Sequence, residues 1–211
     1  MSEWRPQAEK VLERGLAQLG LTLSATQQMN LLDYVALLEK WNRAYNLTAV
    51  RDPVEMVHRH LLDSLAVVPH ISQRRLLDVG TGPGIPGVVL AIAWPDAALT
   101  LLDSNGKKAR FVRRAVRELG LRNVEVVQAR VEQFTPTAPF PAIISRAFAD
   151  LGAFVRLTRH LLAEEGRWWG MKGHVENELD HLPQDVAVAR IIELTVPFET
   201  ARRSLIELRK R

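Results

Sequence analysis

Leu76-Leu77-Asp78-Val79-Gly80-Thr81-Gly82-Pro83-Gly84-Ile85-Pro86-Gly87 is the stretch that decides the fold. An apolar strand runs directly into a loop with four glycines in eight residues, and a helical pattern follows at about 87–94. Glycine serves where the backbone takes positive φ or where a ligand must approach within contact distance. After a first strand and before a helix N-terminus, such a loop is the usual seat of an adenosine cofactor, so Gly80, Gly82 and Gly84 are candidate contacts. Gly82-x-Gly84-x-x-Gly87 also matches the dinucleotide fingerprint, which makes an NAD enzyme an alternative. Pro83 and Pro86 argue against it, because they stiffen the loop and remove N–H groups that a pyrophosphate would use. Asp78 argues the same way: a carboxylate two positions before the first glycine can orient the loop and face a cationic ligand end. A sulfonium amino acid fits that better than a pyrophosphate.

Outward from this loop, short apolar runs alternate with helical patterns. That texture signals an α/β, Rossmann-like, mostly parallel sheet built from βαβ units. Strands are expected at Leu76–Val79, Leu99–Asp103, Val124–Gln128, Ala142–Ser145 and Arg167–Lys172, with helices at about 87–94, 106–119 and 149–163. Ile191–Val196 and Ser204–Leu208 read as two more strands. No helix fits between them, so they should pair antiparallel, giving seven strands with an antiparallel last one. Residues 1–72 read instead as a helical N-terminal extension, packed tightly on a domain at 73–211 with the boundary near Ser72-Gln73-Arg74. Ser24-Ala25-Thr26-Gln27 looks like a capping box. Behind it Met29, Leu32, Val35, Leu38 and Trp41 recur at three-residue spacing, with Leu31 widening the buried stripe. Asp52-Pro53 suits the N-cap and first position of a helix running to about Val67.

Composition bounds the rest. The 211 residues are 47% hydrophobic, enough for one well-buried core, and contain no cysteine. Disulfides, thiolate metal sites and cysteine nucleophiles are thereby excluded. The first residues, MSEWRPQAEK, are polar and charged, and the longest apolar stretch, such as Val88 to Trp94, is too short to span a bilayer. A soluble, cytoplasmic protein is expected, with monomer as the default state. No His, Asp and Glu cluster has metal-site spacing, so no metal is expected. Lys and Arg exceed Asp and Glu by 28 to 24, which is weak support for a nucleic-acid partner. Clustering says more: Arg110, Arg113, Arg114, Arg117 and Arg122 fall within thirteen residues, and the chain ends Arg209-Lys210-Arg211. Such clusters suit phosphate contacts, although a solvated helix face and a frayed tail explain them equally well.

Two further segments sit where a cofactor would need them. Asp103 ends the second strand nineteen residues after Gly84, near the ~20 expected of a ribose-binding acid. It can accept both ribose hydroxyls, or cap the helix that starts near Asn105. Gln128-Ala129-Arg130-Val131-Glu132-Gln133-Phe134 follows the third strand, where loops typically close over adenine. Val131 and Glu132 are the candidates there, and a surface turn is an equal alternative.

A longer ordered series carries a family resemblance. It runs Trp41-Asn42-x-x-Tyr45-Asn46-Leu47-Thr48, Arg59-His60-x-x-Asp63-Ser64, the glycine loop from Asp78 to Gly87, Leu102-Asp103-Ser104, Arg130-Val131-Glu132, Ser145-Arg146-Ala147-Phe148 and Met171-Lys172-Gly173. The series resembles the bacterial ribosomal RNA small subunit methyltransferase G family, also called glucose-inhibited division protein B, over roughly residues 25–210. Ile85 stands where leucine is common. The resemblance implies a class I fold, S-adenosylmethionine as donor and S-adenosylhomocysteine as product. It also implies methylation of a guanine N7 in a decoding-region loop of 16S ribosomal RNA in the small ribosomal subunit. Donor contacts implied are Gly80, Ile85, Val131, Glu132 and Arg146, with Ser104 beside Asp103.

That chemistry needs little machinery. Guanine N7 carries an in-plane lone pair and no proton, so its methylation needs no general base. Alignment of the reacting atoms supplies up to ~7–11 kcal/mol in favourable cases. No catalytic residue is certain; Arg146, Lys172 and Asn46 are candidates. RNA contacts are expected at Arg113, Arg114, Arg117, Phe148, Lys172 and Arg209. Each has a plainer alternative: Arg146 as a donor ligand, Phe148 as a core residue, Lys172 as a structural ion pair and Asn46 as a cap. His60 and Asp63, at i and i+3, read as a structural hydrogen-bonded pair. The competing functions are a methyltransferase of the same fold for another RNA, a protein or a small molecule, an NAD-dependent dehydrogenase, and a binding module that keeps the loop without catalysis.

Overall fold

The structure, a computed structural model, describes residues 3–148, 150–173, 175 and 179–211. Its centre is a seven-stranded sheet in the order β3-β2-β1-β4-β5-β7-β6. The strands are β1 (Arg75–Val79), β2 (Ala98–Asp103), β3 (Val124–Gln128), β4 (Phe140–Ser145), β5 (Leu162–Lys172), β6 (Val186–Leu194) and β7 (Arg203–Lys210). The first five are parallel, and β7 lies antiparallel between β5 and β6, as the missing crossover helix required. Strand β1 is flanked on both sides and covered on both faces, which is why its sequence is a continuous apolar run rather than an alternating one. Leu76 joins the core on one face and Leu77 the core on the other, following the period of two.

Helices α1 (Arg5–Leu19), α2 (Ala25–Tyr45), α5 (Gly87–Ala93) and α6 (Gly106–Glu118) cover the first face, and α7 (Leu151–Thr158) the second. Between α2 and the sheet, α3 (Pro53–Met56), a π-helical turn (Val57–Leu62) and α4 (Asp63–Leu65) form one continuous segment. The N-terminal helices therefore share one core with the sheet: Leu12, Leu38 and Leu61 belong to the same buried cluster as Leu76 and Val88.

Local chemistry explains the boundaries. Ser24 Oγ accepts from the Gln27 amide while Gln27 Oε1 accepts from the Ser24 amide, a complete capping box. Asp52 caps α3 by accepting from the Glu55 amide at 2.8 Å. The buried stripe of α2 is Leu31, Leu32, Tyr34, Val35, Leu38 and Asn42. Met29 is 52% exposed, because at ~100° per residue it lies on the opposite side of the helix from Leu31, Val35 and Leu38.

Several expected boundaries shift. The helix expected at 149–163 is α7 followed by a 3-10 turn at Arg159–Leu161, and β5 starts at Leu162; residue 149 lies outside the described residues. Thr158 ends α7 by donating to Phe154 O at 2.6 Å and accepting from Trp168 Nε1 at 2.9 Å, which ties the helix end to β5. Strand β6 starts at Val186 instead of Ile191, because pairing with β7 extends it through an irregularity between Val188 and Arg190 that breaks the alternation.

The start of α5 packs so closely on the sheet that only glycine fits. A Cβ on Gly87 would stand 2.1 Å from Leu101 Cδ2 and 2.7 Å from Asp78 Oδ2. Gly87→Ala is therefore expected to lose ~1–3 kcal/mol of stability in urea unfolding by overpacking. An unchanged midpoint would show that the helix can move off the sheet.

Candidate active site

The glycine loop is held from beneath by one carboxylate. Asp78 is 1% exposed, and its Oδ2 accepts from Thr81 Oγ1 at 2.6 Å and from the Gly87 amide at 2.8 Å. The remaining amides are also used inside the fold. Gly80 and Thr81 donate to Leu102 O, Gly82 donates to Asp103 Oδ2 at 2.8 Å, Gly84 and Ile85 donate to Thr81 O, and Val88 donates to Gly84 O. Pro83 and Pro86 have no N–H. Every backbone N–H from Gly80 to Val88 is thus spent, and the loop offers none to a pyrophosphate. That is the physical difference from a dinucleotide loop.

The sheet order reverses between β1 and β4, so the loops after these strands face each other across the crevice at the carboxyl edge. Ser145 stitches them, donating to Val79 O at 2.8 Å and accepting from the Ala147 amide at 3.1 Å. Two adjoining cavities open there and share Gly80 and Ala147 in their walls. The larger, about 310 Å³, is lined by Gly80, Leu102, Asp103, Ser104, Lys108, Val131, Glu132 and Phe148 among others. The smaller, about 180 Å³, is lined by Leu47, Thr48, His60, Gly82, Pro83, Ile85 and Arg146 among others. A wider cleft of about 490 Å³ lies at the opposite edge, where β1, β2 and β3 begin, away from these loops.

In the larger cavity, Asp103 spends one lone pair on the Gly82 amide and one on the Asn105 amide, both at 2.8 Å. A carboxylate has about four acceptor sites, so two remain for a diol. The cap of α6 is Asn105 rather than Asp103, since its Oδ1 accepts from the Lys107 and Lys108 amides. Val131 and Glu132 sit on a 3-10 turn across the cavity.

The smaller cavity has a neutral histidine and a basic rim. His60 Nδ1 lies 3.0 Å from Arg59 O, which can only accept, so Nδ1 carries the proton and Nε2 accepts from Thr48 Oγ1 at 2.9 Å. Burial, then the Arg146 charge, lowers the His60 pKa to about 4. His60 and Asp63 do not bond to each other: Asp63, 3% exposed, instead pairs with Arg146 Nη1 at 3.2 Å and accepts from Arg203 Nε at 3.1 Å. Arg146, Lys172 and Arg203 ring a further cavity of about 180 Å³ beside it. Lys172 Nζ donates to Phe148 O at 2.5 Å. Among the described residues, no three His, Asp or Glu side chains come together as a metal site, and no helix is long and apolar enough to cross a membrane.

The family model for rRNA small subunit methyltransferase G matches residues 27–206. The chain belongs to this family. Curated members include the ribosomal RNA small subunit methyltransferase G of Chromohalobacter salexigens, 57% identical over 97% of this chain and 99% of that one. That of Laribacter hongkongensis is 56% identical over 93% and 96%. Among solved structures, TrmN from Thermus thermophilus aligns with a TM-score of 0.59 at 19% identity, over 81% of this chain and 53% of that one. Coclaurine N-methyltransferase bound to N-methylheliamine and SAH aligns at 0.54 and 13% identity, over 90% and 74%. At those identities the likeness shows the class I methyltransferase fold alone.

Within this family framework, Gly80, Gly82, Ile85, Asp103, Ser104, Val131, Glu132, Arg146 and Phe148 all line the two cavities. Two expected cofactor contacts do not. Asp78 is sealed below the loop, and Gly84 is buried against α2 and α5, where its Cβ would meet Val88 Cγ2 at 2.4 Å. Asn46 ends α2 in the left-handed conformation (φ 50°), and its Oδ1 accepts from Arg51 at 2.7 Å, which is the capping alternative. The expected RNA arginines are not brought to the cavities. Helix α6 runs back from the rim at ~1.5 Å per residue, which puts Arg113 and Arg117 roughly 10 and 16 Å along the helix from Gly106. Arg114 pairs with Glu118. Arg209 lies at the far edge because β7 is antiparallel: its start, with Ser204 opposite Lys172, reaches the site. Arg203 is the rim residue that sequence reasoning missed, and the expected strand direction already pointed to it. Thr48 was marked only by the family series, and Lys108 carried no signal.

Two buried groups titrate in opposite senses. The folded pKa of His60 lies below its unfolded 6.5, so stability is lost as pH falls from about 6.5 to 4. Burial first, with the Asp103 charge adding to it, raises Asp78 from 3.8 to about 7, so its contribution is lost as pH rises through that window. Asp78→Asn keeps both loop hydrogen bonds and removes one slope. Its urea midpoint should therefore fall more steeply than the parent's between pH 6.5 and 4.5; parallel profiles would contradict the assignment.

Proposed function

We propose that this chain transfers a methyl group from S-adenosylmethionine to N7 of a guanine in 16S ribosomal RNA, acting in the cytoplasm on the small ribosomal subunit. The observation that carries the donor half is the glycine loop. With every N–H from Gly80 to Val88 engaged internally and an ionisable carboxylate beneath it, the loop suits a cationic donor and not a dinucleotide. When bound, the donor supplies an electrophilic methyl group on a sulfonium.

The residues present fit that group. Asp103 has two acceptor sites left for ribose hydroxyls, Val131 and Glu132 form the wall for the adenine, and Gly80 and Ile85 border the space toward the smaller cavity. Two such charge-assisted hydrogen bonds at Asp103 contribute ~3–6 kcal/mol together. Ser104 stands beside Asp103, and Arg146 joins the donor side to the basic rim through Asp63.

The smaller cavity supports N7 as acceptor, because its histidine is not a free base. His60 Nε2 is engaged by Thr48 and is neutral above about pH 4, so it adds no positive charge beside a product that is itself a cation. An exocyclic amine or a hydroxyl would need a base there. The RNA-facing residues we assign are Lys172, Arg203 and Phe148 at the rim. Arg113, Arg114, Arg117 and Arg209 lie too far out for the reacting guanosine, and reach at most flanking RNA through a field that salt screens within ~8–10 Å. Residues 1–72 act as a helical extension of a donor-binding part at 73–211, with Asn46 shaping the loop that bears Thr48.

The test is methyl transfer from labelled donor to small subunits from cells that lack this modification, followed by mapping of N7-methylguanosine in the 16S RNA. Label at one guanine N7 is expected; label on another base, on protein or nowhere would overturn the reading. In the same assay, Lys172→Ala with Arg203→Ala should lower the rate at least tenfold with little change in S-adenosylhomocysteine affinity. Arg113→Glu with Arg117→Glu should change it less than threefold at physiological salt.

A further inference from the structure

Helix α2 holds both ends of the segment that carries the donor loop. At its start, Gln27 Nε2 donates to Ile92 O at 2.8 Å and to Ala93 O at 3.2 Å, capping the carboxyl end of α5. Two turns later, Tyr34 Oη donates to Pro83 O at 2.8 Å, in the loop that leads into the same helix. The two contacts are seven residues apart on α2, and α5 is seven residues long. The earlier residue on α2 meets the end of α5 and the later one meets the loop before it, so the two helices run antiparallel.

The Tyr34 contact differs in kind from ordinary core packing. Tyr34 is fully buried, and burial, then the Asp78 charge, keeps its phenol protonated well above the usual range. A buried hydroxyl needs a partner, and its proton goes to a residue that lines the smaller cavity. The Pro83-Gly84 peptide is held at two points: its N–H donates to Thr81 O at 2.9 Å within the loop, and its carbonyl accepts from Tyr34. All other hydrogen bonds of the loop come from β1, β2 or the loop itself; this one comes from the N-terminal helices. Gly84 itself is fixed by its backbone and by α5: its φ is 102°, and a Cβ there would stand 2.4 Å from Val88 Cγ2.

We propose that Tyr34 is a positioning residue for donor binding, its hydroxyl holding the Pro83-Gly84 peptide in the shape that the donor requires. The same helix continues to Asn42, which sets the opposite wall by accepting from the Thr48 amide at 2.9 Å and donating to Val50 O at 3.0 Å. One strut therefore registers the donor loop against the substrate-facing loop, which gives the helical extension a role in the reaction. The inference rests on reading the paired cavities as the donor site.

The test uses the full-length protein and compares Tyr34→Phe, which removes only the hydroxyl, with Gln27→Ala, which frees the other end of the strut. Affinity for S-adenosylhomocysteine is measured by calorimetry, beside the melting temperature without ligand. Tyr34→Phe is expected to raise Kd five- to twentyfold, and Gln27→Ala to lower the melting temperature with Kd within twofold of the parent. Incorporation of p-aminophenylalanine at position 34, which restores a donor, should bring Kd back within threefold; a Kd that stays weak, or Tyr34→Phe failing to fold while this variant folds but binds weakly, would count against the role. A Tyr34→Phe protein that binds like the parent, or a Gln27→Ala protein that binds as weakly as Tyr34→Phe, overturns it. A parent that does not bind S-adenosylhomocysteine sinks the donor reading itself.

Discussion

One buried carboxylate sets the shape of the working edge. Asp78 ties the Thr81 hydroxyl and the Gly87 amide to a single oxygen, out of reach of water. A charge buried there is tolerable only with such partners, and even so its pKa rises to about 7. The geometry follows from that constraint. With Gly87 drawn down onto β1 and β2, α5 must start at that point, and the loop above closes on itself. What it leaves on the cavity side is space rather than free N–H donors.

The topology supplies the second wall. Because the order reverses between β1 and β4, the loop bearing Arg146 and Ala147 stands opposite the glycine loop, and Ser145 fixes their separation. Approach is close enough that a side chain on Gly80, at φ 71°, would meet Ala147 Cβ at 2.9 Å. Beyond this point Asp63 gathers Arg146 and Arg203 from two different strand ends onto one helical segment. The π-helical turn places that segment, with His60 and Asp63 each given a separate partner. The site is thus assembled from the N-terminal helices and the sheet together, and it provides alignment and charge placement in place of a proton-transferring group.

Much of this was legible in the sequence where local rules govern it. The apolar run at 76–79, the glycines after it, the capping box at Ser24 and the acid at 103 each declare themselves through spacing. The absence of a helix between the last two strands likewise required the antiparallel pair. Legibility ended where position depends on what lies across the fold. Gly84 reads as a cofactor contact by motif, yet its missing side chain makes room for Val88. Arg209 and the α6 arginines read as a basic patch by clustering, but strand and helix direction carry them away from the rim. His60 and Asp63 read as a pair by helical spacing, and the partners that won them, Thr48 and two arginines, are distant in sequence or outside the helix.

The most direct measurement is a crystal structure of the protein with S-adenosylhomocysteine. The account predicts the ribose on the Asp103 carboxylate, the adenine against Val131 and Glu132, and the sulfur facing the space between Gly80, His60 and Arg146, with no backbone N–H of residues 80–88 bonded to the ligand. Density for the ligand in the cleft at the opposite edge of the sheet, or a glycine loop rearranged to offer its amides, would contradict it.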